Sequence, residues 1–202
     1  MFGLPASTEI KKLITKKKVY EHFGADMSAD RRKSFDADIA RITLLAEISP
    51  VSLNLADGAE VHSLFVVLVA LKQQDFDKQN IAFIARMFGQ RLVLVLEYDA
   101  QQRLALWQTR LMMNDWAPAD SITIPITGQN MDVVWQNVVS QVSGIELAHG
   151  KTLDEQIADH DKRAKLEKEI ARLEKLARAE KQPKKKFELV QQLRALKQQI
   201  GA

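Results

Sequence analysis

Apolar positions along the chain change period several times, and each change predicts an element. Ile10, Leu13 and Ile14 fall on one helical face behind Ser7 or Thr8, so the spacing predicts a short helix over Ser7–Ile14. Ser28 can cap a second helix, with Phe35 and Ile39 four apart on its inner side. From Arg41 the period shortens: Ile42, Leu44 and Leu45 lead through Glu47 to Ser49-Pro50, a strand halted by proline. Val51–Leu55 alternates apolar and polar before the turn signal Ala56-Asp57-Gly58. Val61–Lys72 follows, and its Leu64–Val69 stretch is apolar at every position, as in a central strand covered on both sides. Helical spacing returns over Asp77–Phe88 at Ile81, Ile84, Ala85 and Phe88, with Gly89 placed to cap it. Leu92–Leu96 reads as a second buried strand, joined through Asp99–Gln102 to Leu104–Leu111 as a hairpin. Ile122–Ile126 reads as a short edge strand, since Pro125 cannot donate to a ladder. Asp132–Val142 is a helix with Val133, Val134, Val138 and Val139 inward, ended by Gly144.

The last quarter is different in kind. Thr152-Leu153-Asp154-Glu155 is a capping box that opens a long helix. Leu166, Ile170, Leu173 and Ala177 step by heptad spacing, and so do Leu189, Leu193, Leu196 and Ile200 beyond Pro183. Two short seams separated by Lys181–Lys186 predict an antiparallel helical hairpin, each seam needing the other arm, the body or a second copy to cover it. The expected fold is therefore α/β: a mixed central sheet flanked by helices over residues 1–150, then a coiled-coil-like hairpin over 151–202.

Composition narrows the chemistry. With 46% apolar and 27% charged residues among 202, the chain has the balance of a globular protein. The longest apolar run is strand length, well short of the ~18 residues of a spanning helix, so no membrane partner is expected. The first residues lack a basic segment followed by an apolar one, so no signal peptide is expected and the cytoplasm is the anticipated compartment. With no cysteine, disulfides, thiolate zinc sites and thiol nucleophiles are excluded. The net charge of +3 hides a division: residues 1–33 carry +4, residues 34–150 carry −6 and residues 151–202 carry +5. Basic ends on an acidic body suit an anionic partner, or docking of the ends on the body.

Motifs for nucleotide-driven or serine-nucleophile chemistry are absent, and the eight glycines are scattered singly. His22, His62, His149 and His160 show no metal-ligand spacing and read as exposed side chains. From Ser28 the order helix, strand, strand, strand, helix, strand matches the core of the PD-(D/E)XK nucleases, whose metal site uses an acid on the second strand and acid-x-Lys on the third. Lys72 closes the third strand as that lysine should, but the acid position two residues earlier is Ala70. The second-strand acid falls to Asn54 or Asp57, with Glu47 and Asp38 as spare carboxylates nearby. A nuclease reading would thus rest on Asp57, Lys72 and Glu47 with Mg²⁺, lacking one hard oxygen ligand. Asp38 and Arg41 are spaced for an ordinary surface ion pair. Trp135 reads as core; Trp116, in a loop, reads as core cover or a partner contact. Lys181, Lys184, Lys185 and Lys186 crowd the hairpin tip, either as a solvated turn or as contacts to nucleic-acid phosphates that would read no sequence.

Several segments together carry a resemblance: Phe2-Gly3-Leu4-Pro5, Thr8-Glu9-Ile10-Lys11-Lys12, Phe35-Asp36-Ala37-Asp38-Ile39, Glu47-Ile48-Ser49-Pro50, Val95-Leu96-Glu97-Tyr98 and Leu166-Glu167-Lys168-Glu169-Ile170. The chain resembles domain-of-unknown-function family 4391 over essentially its whole length. The resemblance implies no catalytic residues, but it does imply a genomic neighbourhood of helicases and DNA methyltransferases in restriction-like or anti-phage loci. The expectation is a non-enzymatic accessory protein that docks protein partners through the body and hairpin and needs no cofactor. The assembly seam would be Leu166, Ile170, Leu173, Leu189, Leu193, Leu196 and Ile200, with self-association as one outcome. A divergent or inactive nuclease and a sequence-independent nucleic-acid-binding module are the alternatives.

Overall fold

The computed structural model describes residues 2–24, 27–148 and 150–201. The chain divides into two compact units, residues 1–147 and 148–202. Among the described residues of the first, seven strands form one mixed sheet: β1 (Glu9–Ile14), β2 (Ile39–Ile48), β3 (Leu64–Leu71), β4 (Arg91–Tyr98), β5 (Gln101–Trp107), β6 (Leu111–Met113) and β7 (Ala117–Pro118). They lie in the order β1-β2-β3-β4-β5-β6, and β7 also pairs with β5. Only β3 and β4 run parallel, because α4 (Lys78–Arg86) crosses over between them; the other pairs are antiparallel.

Burial on both sides of the sheet explains the continuous apolar runs. One face of β3 and β4, with Val67, Val69, Leu92, Leu94 and Leu96, packs under α1 (Lys16–Phe23), α2 (Ala29–Asp38) and α4. Phe35, Ile81 and Ile84 are the fully buried helical contributions to that layer. The opposite register positions, Val66 with Val93 and Val93 with Leu106, are fully buried on the other side. There α5 (Met131–Ser143) packs on β5 and β6, burying Val134, Trp135, Val138 and Val139. Val133, one of the four valines expected inward, is only half-buried, and Trp135 takes the central place.

Several local expectations are corrected. Residues 9–14 form edge strand β1, not a helix. A bulge between Glu9 and Lys12, with Lys11 at φ 54°, inserts an extra residue and turns the period of two into an apparent helical spacing. Helix α1 follows it, capped by Thr15. Val51–Leu55 is not a strand: Ser49 and Ser52 form a reciprocal cap around Pro50, opening the short helix α3 (Pro50–Leu53), which Asn54 ends at positive φ. Ile122–Ile126 forms no strand either. Ile122 and Ile124 are buried at alternate positions, but the segment joins no ladder and Ile124 N–H donates to the Phe2 carbonyl. The predicted Leu104–Leu111 strand ends at Trp107, and β6 begins at Leu111. Gly89 follows α4 at φ 61°, donating to the Arg86 carbonyl, while Met87 is the residue at the helix end.

In the second unit, α6 (Leu153–Ala179) opens on the expected Thr152–Glu155 capping box, and α7 (Pro183–Gly201) runs beside it as a helical hairpin. Leu173, Ala177 and Leu193 form its core, flanked by half-buried Ile170, Leu189 and Leu196. Leu166 is half-buried further along α6. The Ile200 side chain and His149 lie outside the described residues.

Candidate functional site

Three places bear on function, and the first is the end of β3 that carries Lys72. The Lys72 ammonium donates to the Asp36 backbone carbonyl at 2.6 Å, and its backbone N–H donates to the Asp38 carbonyl at 2.8 Å. Asp38 is not paired with Arg41. It is buried, and its carboxylate accepts from Gln73 Nε2 at 2.7 Å, Asp77 N–H at 2.9 Å and Asn80 Nδ2 at 2.7 Å. A buried carboxylate with three donors ties the start of β2 to the β3–α4 connection, a structural role. Asp36 accepts from Lys16 at 2.9 Å, which holds its carboxyl below the ordinary 3.8. Burial, with Asp36 alongside, pushes the Tyr20 hydroxyl well above its usual range.

The nuclease set is not brought together here. Glu47 pairs across the sheet with Phe65, at the opposite end of β3 from Lys72. Seven residues of strand separate those positions, about 23 Å at ~3.3 Å per residue. Asp57 precedes β3, and its carboxylate meets His62 Nδ1 at 3.0 Å. Ala70 lies opposite Glu97 on β4, but Glu97 accepts from Gln102 Nε2 at 2.6 Å. Among the described residues no three acids or histidines converge as metal ligands. Asp57, Glu47 and Lys72 therefore do not fit a Mg²⁺ centre, and no catalytic step follows from them.

The second place is a cavity of about 420 Å³ at the sheet end where β4 begins, lined by His62, Ser63, Arg86, Gln90, Arg91 and Trp107 among others. The Arg86 guanidinium lies 4.4 Å from the Trp107 ring centre, and its Nε donates to the Ala82 carbonyl. Arg91 lies 5.4 Å from the Trp135 ring centre and donates to Gln108 Oε1 at 2.8 Å, which Trp135 Nε1 also reaches at 2.8 Å. Arg103 likewise lies over Trp116, so each of the three tryptophans carries an arginine on its ring. Trp116 packs against the body's core, as cover rather than as a free loop contact. Sequence reading missed this cavity because Arg86, Arg91 and Trp107 stand on separate elements with no shared spacing.

The cavity wall before β3 is fixed by Asp132, in the first turn of α5. Its carboxylate accepts the N–H groups of Ala59 at 2.6 Å, Val61 at 2.8 Å and Glu60 at 3.1 Å. Burial works to raise the Asp132 carboxyl, but these N–H donors, with His62 nearby, outweigh it and hold it below the ordinary 3.8. Gly58 is required there: a Cβ would clash with the Val61 carbonyl and would lie 2.6 Å from Asp132 Oδ1.

The third place is the hairpin tip. Lys181, Lys184, Lys185 and Lys186 are all exposed, and among the described residues none has a carboxylate partner. Three of them occupy the first turn of α7, which holds no acid, so they add to the positive end of the helix dipole. Beside them a groove of about 720 Å³ is lined by Leu176, Lys181, Lys185, Glu188 and Leu189. Leu176 is 44% and Phe187 61% exposed, although the hairpin's inner seam is already filled.

A family model described as a domain of unknown function, DUF4391, matches residues 2–200. The chain belongs to the DUF4391 family. No curated protein and no solved structure matches it. The DUF4391 match takes in both units, so the α/β body and the hairpin are parts of one family-wide pattern. No helix among the described residues is long and apolar enough to cross a membrane.

Proposed function

We propose that this DUF4391 chain is a non-enzymatic assembly subunit of a prokaryotic DNA-associated complex of restriction-like or anti-phage type, acting in the cytoplasm. The observation that carries the reading is the hairpin surface. Leu173, Ala177 and Leu193 satisfy the inner seam, yet Leu176 and Phe187 remain exposed beside four lysines that have no carboxylate partner among the described residues. Large apolar side chains next to unneutralised cations suit a protein partner that also handles nucleic acid. The neighbourhood implied by the family resemblance supplies the class of partner, a helicase or DNA methyltransferase. Body and hairpin both offer docking surface: Leu13 and Val51 are exposed on the body, and the hairpin places Leu176 and Phe187 beside the lysine tip. The scattered placement of Asp57, Glu47 and Lys72 supports a role without metal-dependent cleavage.

Sequence-independent nucleic-acid contact is a second reading, supported by the lysines that crowd the positive end of α7. Co-purification of the full chain from its native host tests the first reading. The unaltered chain should recover a helicase or methyltransferase, and L176D/F187D should lose it. Equal recovery by both chains would overturn the hairpin's role.

A further inference from the structure

The cavity at the start of β4 lies wholly within the α/β unit, and its chemistry is independent of the hairpin reading. The stretch of chain that contains it is acidic, −6 over residues 34–150. Yet two of the seven Lys and Arg residues in that stretch, Arg86 and Arg91, line this one cavity together with His62. Among the described residues neither arginine has a carboxylate partner. Arg86 spends one N–H on the Ala82 carbonyl and Arg91 spends one on Gln108. Five donors on a planar fork leave each guanidinium with capacity to bind an oxyanion in bidentate fashion.

Both forks are also held in place before any ligand arrives. Trp107 supports the plane of Arg86, while Trp135 and Gln108 together fix Arg91. Gln108 accepts from Arg91 and from Trp135 through the same oxygen, so the arginine is anchored to a core tryptophan that is 2% exposed. Preorganised donors lower the ordering cost of binding. The Asp132 clasp on residues 59–61 fixes the wall that presents His62 and Ser63.

Size and the neutral lining narrow the ligand. A cavity of about 420 Å³ is far larger than a lone phosphate and falls in the range of small-molecule sites. Ser63 and Gln90 add neutral hydrogen-bonding groups suited to sugar hydroxyls, and the Arg86 plane offers a surface on which a base can stack. Glu60 on the lining disfavours a polyanion but can accept from a hydroxyl or an amine. We infer that this cavity binds the phosphate monoester of a nucleoside, with Arg86 and Arg91 on the phosphoryl oxygens. Two sources share that chemistry: a free mononucleotide and the 5′-phosphorylated end of a nucleic-acid strand.

Isothermal titration calorimetry on the full chain tests this, with adenosine monophosphate, a 5′-phosphorylated oligonucleotide and the same oligonucleotide ending in a hydroxyl as probes. Any contribution of the lysine tip is common to the two oligonucleotides and cancels in their comparison. The inference expects at least one phosphorylated probe to bind, and the phosphorylated oligonucleotide, if it binds, to do so at least tenfold more tightly than the hydroxyl-ended one. Binding of adenosine monophosphate alone assigns a mononucleotide site, and binding of the phosphorylated end alone assigns a strand-end site. R86Q should weaken that binding at least tenfold. R91K, which keeps the charge, should weaken it too because the fork is lost. Unchanged binding in R86Q and R91K chains that melt like the parent overturns the inference. So does equal affinity for the two oligonucleotides without binding of adenosine monophosphate, or the failure of every probe to bind.

Discussion

The α/β body and the hairpin are built to different standards of burial. In the body, both faces of β3 and β4 are covered, and residues such as Ile42, Val66, Val93 and Leu94 have no exposure. Among the described residues of the second unit, Ile157, Leu173, Ala177 and Leu193 are the buried apolar side chains, while Leu176 and Phe187 stay open to solvent. Burial sets stability roughly in proportion to apolar area removed from water, so the body has reserve and the hairpin has little. On the proposed assembly role, a partner would cover the apolar positions that this thinly packed helical pair leaves over. The body, by contrast, holds Arg86 and Arg91 against Trp107 and Trp135 and ties residues 59–61 to the Asp132 carboxylate.

The comparison can be broken most decisively at Trp135. Trp135→Ala removes the largest fully buried side chain and the anchor of Arg91 and Gln108, at a cost of about 4 kcal/mol. Thermal unfolding followed by the fluorescence of the remaining tryptophans, which all belong to the body, should show the transition fall sharply. An unmoved transition would mean that α5 is not part of the body's core.

Asp132→Ala comes next, at about 3 kcal/mol, because three backbone N–H groups lose a charged acceptor. The pH dependence has a definite sign. The Asp132 pKa lies below its ordinary 3.8 in the folded chain, so its contribution is present above 3.8 and is lost as pH falls through the lowered value. Urea midpoints between pH 6 and 2.5 should therefore fall more steeply for the parent than for the variant in the acid range. Parallel curves would remove the clasp from the account.

Leu193→Ala should cost about 2 kcal/mol in the hairpin alone, at the low end for a buried leucine because its surroundings are only half-buried. Helical circular dichroism should report the loss while tryptophan fluorescence stays with the body's transition. Coincident shifts in both signals would show that the two units unfold as one. The smallest effect on stability belongs to the tip: changing Lys181, Lys184, Lys185 and Lys186 to Gln should move it by less than about 0.5 kcal/mol. If the tip meets phosphates, the same change should remove a log–log salt slope of about −3.6 from duplex binding.

How much of this was legible in the sequence differs between the units for the same physical reason. Continuous runs such as Leu64–Leu71 and Leu92–Leu96 announce strands buried on two faces, and the Thr152–Glu155 box announces α6, because each signal is local. The errors fall where tertiary pairing overrides local pattern. Residues 9–14 carry a bulge that imitates helical spacing, and residues 50–53 use proline to start a helix where it seemed only to stop a strand. Ile122 and Ile124 alternate because both are buried, without a neighbouring strand to make a ladder. The Arg86–Arg91–Trp107 cavity was illegible since its residues come from the end of α4, the start of β4 and the end of β5. Lys72 illustrates the converse. Its place at a strand end was readable, but Glu47 and Asp57 stand at the far end of that strand, which only the register reveals.

Hydrogen–deuterium exchange on the complex captured from the native host, compared with the chain alone, tests the assembly role most directly. The account predicts new protection in the amides of α6 and α7 around Leu176 and Phe187, spanning the Lys181–Lys186 tip. Protection confined to the α/β body, with the hairpin exchanging as fast as in the isolated chain, would contradict it.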